Sequence, residues 1–299
     1  MTNTSGMNLG FKKSITSNQI ESDHYMPFIN NYFTEDNTTY AAYGIKAYVF
    51  DGTKTAQFIS ECLVPFREAY IKEEKLVEIV NDFGTTRKQE IEERLPKAAD
   101  VKAGDFGEIL TYYLAKEVWH PDVNVCPMKW RLKDKKDAAS PYTDVLVFRS
   151  DPLVANPNDA MFSFEAKVRA TVPSGSYDNQ KGYKAGKEKC VFIDAVMDAD
   201  KDRVSRVAES IQYLLTRCKD LGLKVEYNQI YRYAEPYNTV TYQKLFSAVA
   251  IIDSAFTAKQ LAKLPKDLFT TFPNIRVFLV PIAGLQALYE SVLAQLPNA

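Results

Sequence analysis

The spacing of apolar residues along the chain predicts alternating helices and strands. Apolar residues recur every three or four positions where a helix is predicted, and they alternate or run together where a strand is predicted. The predicted helices cover residues 55–81, 103–119, 202–221 and 284–296. The predicted strands cover residues 40–50, 123–132, 142–149, 160–168, 190–195, 246–252 and 275–282. This order of elements is typical of an α/β protein in which helices flank a mixed central sheet.

A charged segment marks the predicted boundary between two parts of the chain. Residues 1–38 are polar and are predicted to form loops. Residues 85–100 are charged and contain Pro96, a composition that favours a linker over a core element. We therefore predict an N-terminal accessory lobe over residues 1–99 and a larger domain over residues 100–299.

Composition fits a globular protein and limits how it can bind nucleic acid. Of the 299 residues, 46% are apolar and 25% are charged, which is enough to bury a sizeable core. The formal net charge is -1, so the molecule has no overall field that attracts DNA. Any DNA-binding site must therefore come from local basic segments.

Two basic segments meet this requirement. The first begins at the end of one predicted strand and continues into a loop with several glycines, and its predicted DNA-binding residues are Arg169, Lys181, Lys184 and Lys187. A flexible basic loop of this kind can follow a phosphate backbone. The second segment contains Arg131, Lys133, Lys135 and Lys136. Aspartates interrupt this second segment, which favours a solvated loop.

The chain is predicted to be a cytoplasmic protein that does not associate with membranes. Its four cysteines are far apart and form no CxxC pair, so we expect reduced thiols and no structural zinc site. The first residues lack the apolar core of a signal peptide. No apolar run reaches the length of roughly 18 residues that a membrane-spanning helix needs.

Residues 161–168 carry the most informative chemistry. Successive side chains on a strand point to opposite faces, so Glu165 and Lys167 share one face and apolar residues occupy the other. Asp144 lies at the start of the preceding predicted strand, which is otherwise apolar. Strands adjacent in sequence usually pair, so Asp144 is predicted to lie beside Glu165.

Asp144 and Glu165 together form a candidate metal site. Two adjacent carboxylates repel each other unless a cation lies between them. Hard oxygen ligands suit Mg²⁺, with Mn²⁺ as a substitute, and such a metal lowers the pKa of an attacking water and neutralises charge on a phosphate. Lys167 would position or deprotonate that water. The alternative is that Glu165 and Lys167 form a structural pair on a solvated sheet face.

Glu108 is a third candidate acid on the predicted helix over residues 103–119. It lies off the apolar stripe of this helix, on a face with the small residues Gly104, Thr111 and Ala115. Small residues would let this face approach a sheet closely and aim Glu108 at the metal. The alternative is a surface glutamate, which the helix dipole favours near a helix start.

A cluster of charged residues surrounds the start of the predicted helix over residues 202–221. Asp198, Asp200 and Asp202 are typical of a helix N-terminus. Arg203, Arg206 and Gln212 lie off or beside the apolar stripe and face either the cleft or the solvent.

These residues together resemble the motifs of the PD-(D/E)XK nuclease superfamily. The motif residues are Gly107 and Glu108 on a helix, Asp144 on a strand, and Glu165, Ala166 and Lys167 on the next strand. The resemblance covers roughly residues 100–220. It implies a restriction-endonuclease-like core that hydrolyses phosphodiester bonds in DNA, with Asp144, Glu165 and Glu108 as metal ligands and catalytic residues together with Lys167. Asp144 follows Thr143 rather than the proline of the motif.

Over its whole length the chain also resembles the nuclease subunits of the Hachiman antiphage defence system. That resemblance implies an effector of bacterial defence and a helicase partner that restrains it until damaged or invading DNA is sensed. Two other interpretations stay open. One is a catalytically inactive subunit that keeps the nuclease fold for DNA binding or scaffolding, and the other is a nuclease activated by a nucleotide messenger.

Overall fold

A single mixed sheet organises the computed structural model, which describes residues 27–133, 135–137, 142–151, 156–171, 190–234 and 241–299. The strands are β1 Phe33–Asp36, β2 Lys46–Phe50, β3 Val145–Arg149, β4 Ala160–Arg169, β5 Gln243–Asp253 and β6 Ile275–Ile282. Their order across the six-stranded sheet is β1-β2-β6-β5-β4-β3. The four central strands run parallel to one another, and β1 and β3 pair antiparallel with β2 and β4 at the two edges. The predicted mixed α/β sheet is confirmed.

Helices cover both faces of this sheet. They are α1 Thr55–Tyr70, α2 Glu73–Phe83, α3 Arg87–Glu92, α4 Ala99–Leu114, α5 Val191–Lys201, α6 Val207–Asp220, α7 Lys224–Tyr231, α8 Ser254–Leu261, α9 Leu268–Thr271 and α10 Leu285–Gln295. Because strand side chains alternate, β4 sends Phe162 and Phe164 into a hydrophobic cluster with α1, α4 and α10. It sends Met161 into a second cluster with α5 and α6.

The strand predicted over residues 123–132 is wrong. This segment has one isolated bridge, between Val125 and Phe148, followed by a 3-10 helix at Lys129–Leu132. Pro127 has no backbone N–H to donate to a sheet ladder. Lys129 and Trp130 both contact Glu108 of α4, and these contacts favour the 3-10 turn over an extended strand.

The strand predicted over residues 190–195 is also wrong, because this segment forms the first turns of α5. The buried residues Val191, Phe192, Ala195, Val196 and Ala199 recur at helical spacing. A short apolar run does not distinguish a buried strand from a buried helix, and here the helix continues. It passes through a π-helical segment, Asp202–Arg206, directly into α6.

The N-terminal third contains more elements than the sequence indicates. Strand β1 lies within the segment predicted as loops, and the single helix predicted over residues 55–81 is two helices. The break occurs at Ile71, whose backbone is extended with φ −155° and ψ 129°. Strand β2 is shorter than the strand predicted over residues 40–50.

The sheet runs across the predicted domain boundary between residues 99 and 100. Strand β2 pairs with β6, so the N-terminal part contributes two strands to the sheet that carries β3 and β4. One hydrophobic cluster contains Phe58 and Phe66 together with Phe106 and Tyr289. The division into an accessory lobe and a larger domain remains a prediction, and any such lobe shares its core with the rest.

Two further properties concern the apolar character of the helices and the state of the cysteines. Within the described ranges, no helix combines the length and the apolar character needed to cross a membrane. The structure has Cys62, Cys126, Cys190 and Cys218 as free thiols.

Candidate active site

Asp144 and Glu165 lie directly opposite each other where β3 meets β4. The antiparallel register pairs Val145 with Phe164, which places Asp144 across from Glu165. The Asp144 N–H donates to Glu165 Oε1 at 3.2 Å, and the Ala166 N–H donates to Asp144 Oδ2 at 2.9 Å. The structure therefore brings these two predicted site residues together, as strand pairing predicted.

Lys167 lies beside Glu165 at the point where β4 emerges from the core. Every residue from Ala160 to Glu165 is buried, and the remainder of the strand is partly exposed. The Lys167 ammonium lies 3.5 Å from Glu165 Oε2 and 2.8 Å from Asp198 Oδ2. Its side chain is 31% exposed, whereas Glu165 is only 2% exposed. Lys167 therefore connects a buried carboxylate with the solvent.

Glu108 reaches the same cluster because α4 packs very closely on β4. A Cβ built at Gly107 would lie 2.2 Å from Val168 Cγ2, so only glycine allows this approach. The close approach occurs at Gly107 and not at Gly104, where a Cβ would meet nothing within 4 Å. The Glu108 side chain is largely buried, so the surface interpretation of Glu108 is wrong.

Lys129 is the main partner of Glu108, and sequence reasoning missed it. The Lys129 ammonium lies 3.1 Å from Glu108 Oε2 and 3.8 Å from Asp144 Oδ1. It also donates to the carbonyl oxygen of Thr143 at 3.0 Å, while the Trp130 indole N–H donates to Glu108 Oε2 at 3.1 Å. A positive charge therefore lies between two of the three predicted metal ligands.

The backbone just before Asp144 is held in an uncommon conformation. Tyr142 has a φ of 68°, in the left-handed region that residues other than glycine rarely adopt. The next residue, Thr143, donates its N–H to Ser210 Oγ on α6 and accepts from Lys129. These contacts from distant elements stabilise the turn that delivers Asp144 to the site.

The π-helical segment Asp202–Arg206 supplies two more charged residues to the site, Asp202 and Arg206. Asp202 is fully buried and accepts from Ser163 Oγ at 3.1 Å. Arg206 approaches both Asp202, at 2.9 Å, and Glu165 Oε1, at 3.5 Å. The aspartates predicted to mark a helix start lie inside a continuous helix. This helix begins with α5 at Val191, eleven residues before the predicted start at Asp202. Short π-helical segments often occur at functional sites, because they shift side chains out of the regular helical pattern.

Burial and mutual repulsion control the charge of the acids. Burial, with the negative charges of Asp144 and Asp202, raises the pKa of Glu165. Burial also raises the pKa of Glu108, although Lys129 opposes this shift. For Lys167, burial lowers the pKa, but Asp144, Glu165 and Asp198 outweigh it and the net pKa is raised. The cluster therefore favours the charged form of Lys167 and disfavours the charged form of Glu165.

The donor set fits a metal held by two carboxylates better than one held by three. Asp144 and Glu165 offer hard oxygen donors across a strand pair, and Mg²⁺ typically uses one or two carboxylates and keeps several waters. Over the described ranges, no three Asp, Glu, His or Cys side chains come close enough to hold one metal ion. Glu108, the third predicted ligand, contacts Lys129 instead.

The predicted DNA-binding residues divide between the described and the undescribed parts of the chain. Arg169 is partly exposed at the end of β4, two residues beyond Lys167. Lys181, Lys184 and Lys187 lie outside the described residues. In the second basic segment, Lys133 is buried against Asp105 of α4, so the solvated-loop interpretation is wrong for this residue.

Comparison with known proteins identifies the family. No curated protein matches the chain. The family model named HamA matches residues 23–296. This match covers most of the 299 residues, and the chain therefore belongs to the HamA family, a component of the Hachiman antiphage system.

Proposed function

We propose that this protein is a metal-dependent nuclease of the PD-(D/E)XK type that hydrolyses phosphodiester bonds in DNA. One observation carries the proposal: Asp144 and Glu165 face each other across a strand pair, and Lys167 lies 3.5 Å from Glu165 at the solvent-facing end. A buried carboxylate beside a partly buried one and a lysine is costly for the fold unless these groups are used.

Membership of the HamA family confirms the predicted link to Hachiman antiphage defence. The nuclease activity, the metal and a helicase partner go further and are part of the proposal. Within a defence system of several components, a nuclease needs a partner that controls it, since uncontrolled cutting would damage the host. A helicase that senses invading or damaged DNA would suit this role.

The chemistry assigns a different task to each residue. Asp144 and Glu165 would hold Mg²⁺, which would supply a water of lowered pKa and neutralise charge at the scissile phosphate. Lys167 keeps its proton and reaches the solvent, so its ammonium would bind the phosphate and orient the attacking water. Arg206, beside Glu165, would add a second positive charge at this position.

A second candidate function has an observation in its favour. The acids of the site are matched by the protein's own cations, Lys129, Lys167 and Arg206. Because these ion pairs balance the acids without a metal, the same site is expected in an inactive nuclease fold that serves as a DNA-binding or scaffolding subunit. The two functions differ in whether DNA is cut.

The test is cleavage of plasmid and single-stranded DNA by the full chain in Mg²⁺ or in EDTA, alone and after co-expression with an adjacent helicase. We expect Mg²⁺-dependent cutting that Glu165→Gln and Lys167→Ala abolish. Matched controls are Glu209→Gln, which removes an exposed carboxylate of α6, and Lys201→Ala, which removes an exposed lysine that contacts Asp198. Both controls should cut like the wild type. If Glu165→Gln or Lys167→Ala cuts equally well, or if no preparation cuts, the inactive-subunit function replaces the proposal.

A further inference from the structure

Lys129 lies between Glu108 and Asp144, two of the three predicted metal ligands, and so affects how many of them can bind the metal. Its ammonium has three hydrogens, and three oxygens surround it: Thr143 O at 3.0 Å, Glu108 Oε2 at 3.1 Å and Asp144 Oδ1 at 3.8 Å. Lys129 is only 8% exposed, so water does not compete for these contacts. The ammonium therefore lies where a metal shared by Glu108 and Asp144 would have to lie.

We infer that Lys129 is a positioning residue that keeps Glu108 out of the metal's ligand set, so that the metal is held by Asp144 and Glu165. This inference rests on the proposed function. Glu108 and Lys129 form a charge-neutral pair beside the metal site, and the Trp130 indole fixes the same Glu108 oxygen. The lysine also holds the Thr143 carbonyl and so orients the residue that precedes Asp144.

The pair predicts opposite effects for its two single substitutions. Lys129→Met leaves the Glu108 carboxylate unpaired beside the site, and this extra negative charge attracts a metal. Glu108→Gln leaves the Lys129 ammonium to pair with Asp144, where it competes with a metal. The double substitution Glu108→Gln/Lys129→Met removes one charge of each sign and restores the original balance. A true third ligand would behave differently, because both the single and the double loss of Glu108 would then weaken metal binding.

The experiment measures Mn²⁺ binding to the full chain by the electron paramagnetic resonance signal of free Mn²⁺, without DNA. We expect Lys129→Met to tighten Mn²⁺ binding about tenfold and Glu108→Gln to weaken it about tenfold, a modest coupling for charges in contact. The double variant should bind within about twofold of wild type, because residues in contact are coupled and the two charge changes offset each other. If the double variant binds Mn²⁺ as weakly as Glu108→Gln, Glu108 is a ligand and the inference is wrong.

The matched control is a second buried lysine–acid pair on the same helix. Asp105 lies one turn before Glu108 and pairs with Lys133, and both side chains are as buried as those of the Glu108 pair. Asp105→Asn/Lys133→Met should change thermal stability but leave Mn²⁺ binding within about twofold of wild type. An equally large change in Mn²⁺ binding in this control would contradict a specific role for Lys129.

Two further measurements separate this inference from the proposed function. Asp144→Asn and Glu165→Gln should each abolish Mn²⁺ binding, and if they do not, the metal site itself is wrong. For wild-type protein carrying ¹³C at its glutamate carboxyl carbons, pulsed paramagnetic resonance counts the glutamates bound to Mn²⁺ and needs no variant that folds poorly. One coupled glutamate is expected, and two would overturn the inference while leaving the metal site intact.

Discussion

The two edges of the sheet use buried residues in opposite ways. At the β1–β2 edge, Phe58 of α1 is fully buried, and its ring centroid lies 5.2–6.4 Å from those of four other aromatic rings. Such ring pairs contribute about 0.5–1.5 kcal/mol each beyond the area they bury. At the β3–β4 edge, the buried groups at the ends of the strands include the charged residues Glu165, Asp202 and Lys129, and Asp144 lies partly buried beside them. The first edge stabilises the fold, and the second retains groups that stability alone does not require.

This difference separates the residues that hold the protein together from those proposed to act on DNA. Burying an aromatic ring is favourable in any surroundings, whereas a buried carboxylate needs a partner of opposite charge. The charged edge meets this need with lysines and an arginine contributed by segments far apart in sequence. Substitutions at the two edges should therefore have different consequences, and the following predictions test this from the largest expected effect to the smallest.

At the charged edge, Lys167→Met should lower DNA cleavage by roughly 10²–10⁴-fold, the usual contribution of a positioned catalytic group. The reason is that the Lys167 ammonium lies 3.5 Å from Glu165 Oε2 and its side chain is 31% exposed, so it can contact a phosphate. Rates of Mg²⁺-dependent cleavage, with thermal melting in parallel, check the prediction. A drop in melting temperature as large as that of a core substitution would mean that this edge is structural after all.

At the aromatic edge, Phe58→Ala should destabilise the protein by about 3–5 kcal/mol, since it opens a large cavity among rings. Cleavage per folded molecule should not change. Val64→Ala is the control on the same helix, where the side chain is half exposed, and it should cost less than about 0.5 kcal/mol. Urea unfolding measures both. A similar loss in the two variants would indicate that the ring cluster adds nothing specific.

Between the edges, Gly107→Ala should destabilise the protein by about 1–3 kcal/mol, because the new methyl group would collide with Val168 and push α4 away from β4. Gly104→Ala, in the same helix with open space around its Cβ, should instead be neutral or stabilise by up to about 1 kcal/mol. Denaturant unfolding of the pair tests the close approach. Equal effects in the two variants would contradict it.

Glu117 is a buried acid near the aromatic edge, and it should make stability depend on pH. It lies in the π-helical segment Ala115–Trp119 and accepts from the Ile29 N–H at 2.9 Å. Burial raises its pKa from 4.5 to about 7. Between these two pH values the folded state binds more protons than the unfolded state, so stability falls as pH rises through this window.

Glu117→Gln removes this titration and can still accept from Ile29. The stability of the variant relative to wild type should therefore increase as pH rises from 4.5 to about 7 and stay constant above that value. Urea unfolding at several pH values measures this difference. If the difference does not vary with pH, Glu117 titrates normally and its burial has no electrostatic consequence.

Several elements could be derived from local pattern alone. The α/β class, the central strands β4, β5 and β6, and helix α4 follow from runs of apolar residues with a clear period. The shared face of Glu165 and Lys167 follows from the alternation of a strand, and the position of Asp144 beside Glu165 follows from the pairing of successive strands. In each case the deciding interactions join residues that are close in sequence or in consecutive elements.

Tertiary structure alone decided the rest. The apolar residues at the start of α5 satisfy either a strand or a helix, and only the helix buries them against β4 and β5. Lys129 carries no local signal, and the local pattern left open whether Arg206 faces the cleft or the solvent, because a charged residue in a turn or a helix is usually exposed. Their roles, and that of Asp202, depend on partners brought near by the folded chain: Glu108 for Lys129, Ser163 for Asp202 and Glu165 for Arg206. The sequence thus determined which acids and which lysine lie on the strands, and packing determined which charges surround them, because electrostatic partners are chosen by distance in space and not along the chain.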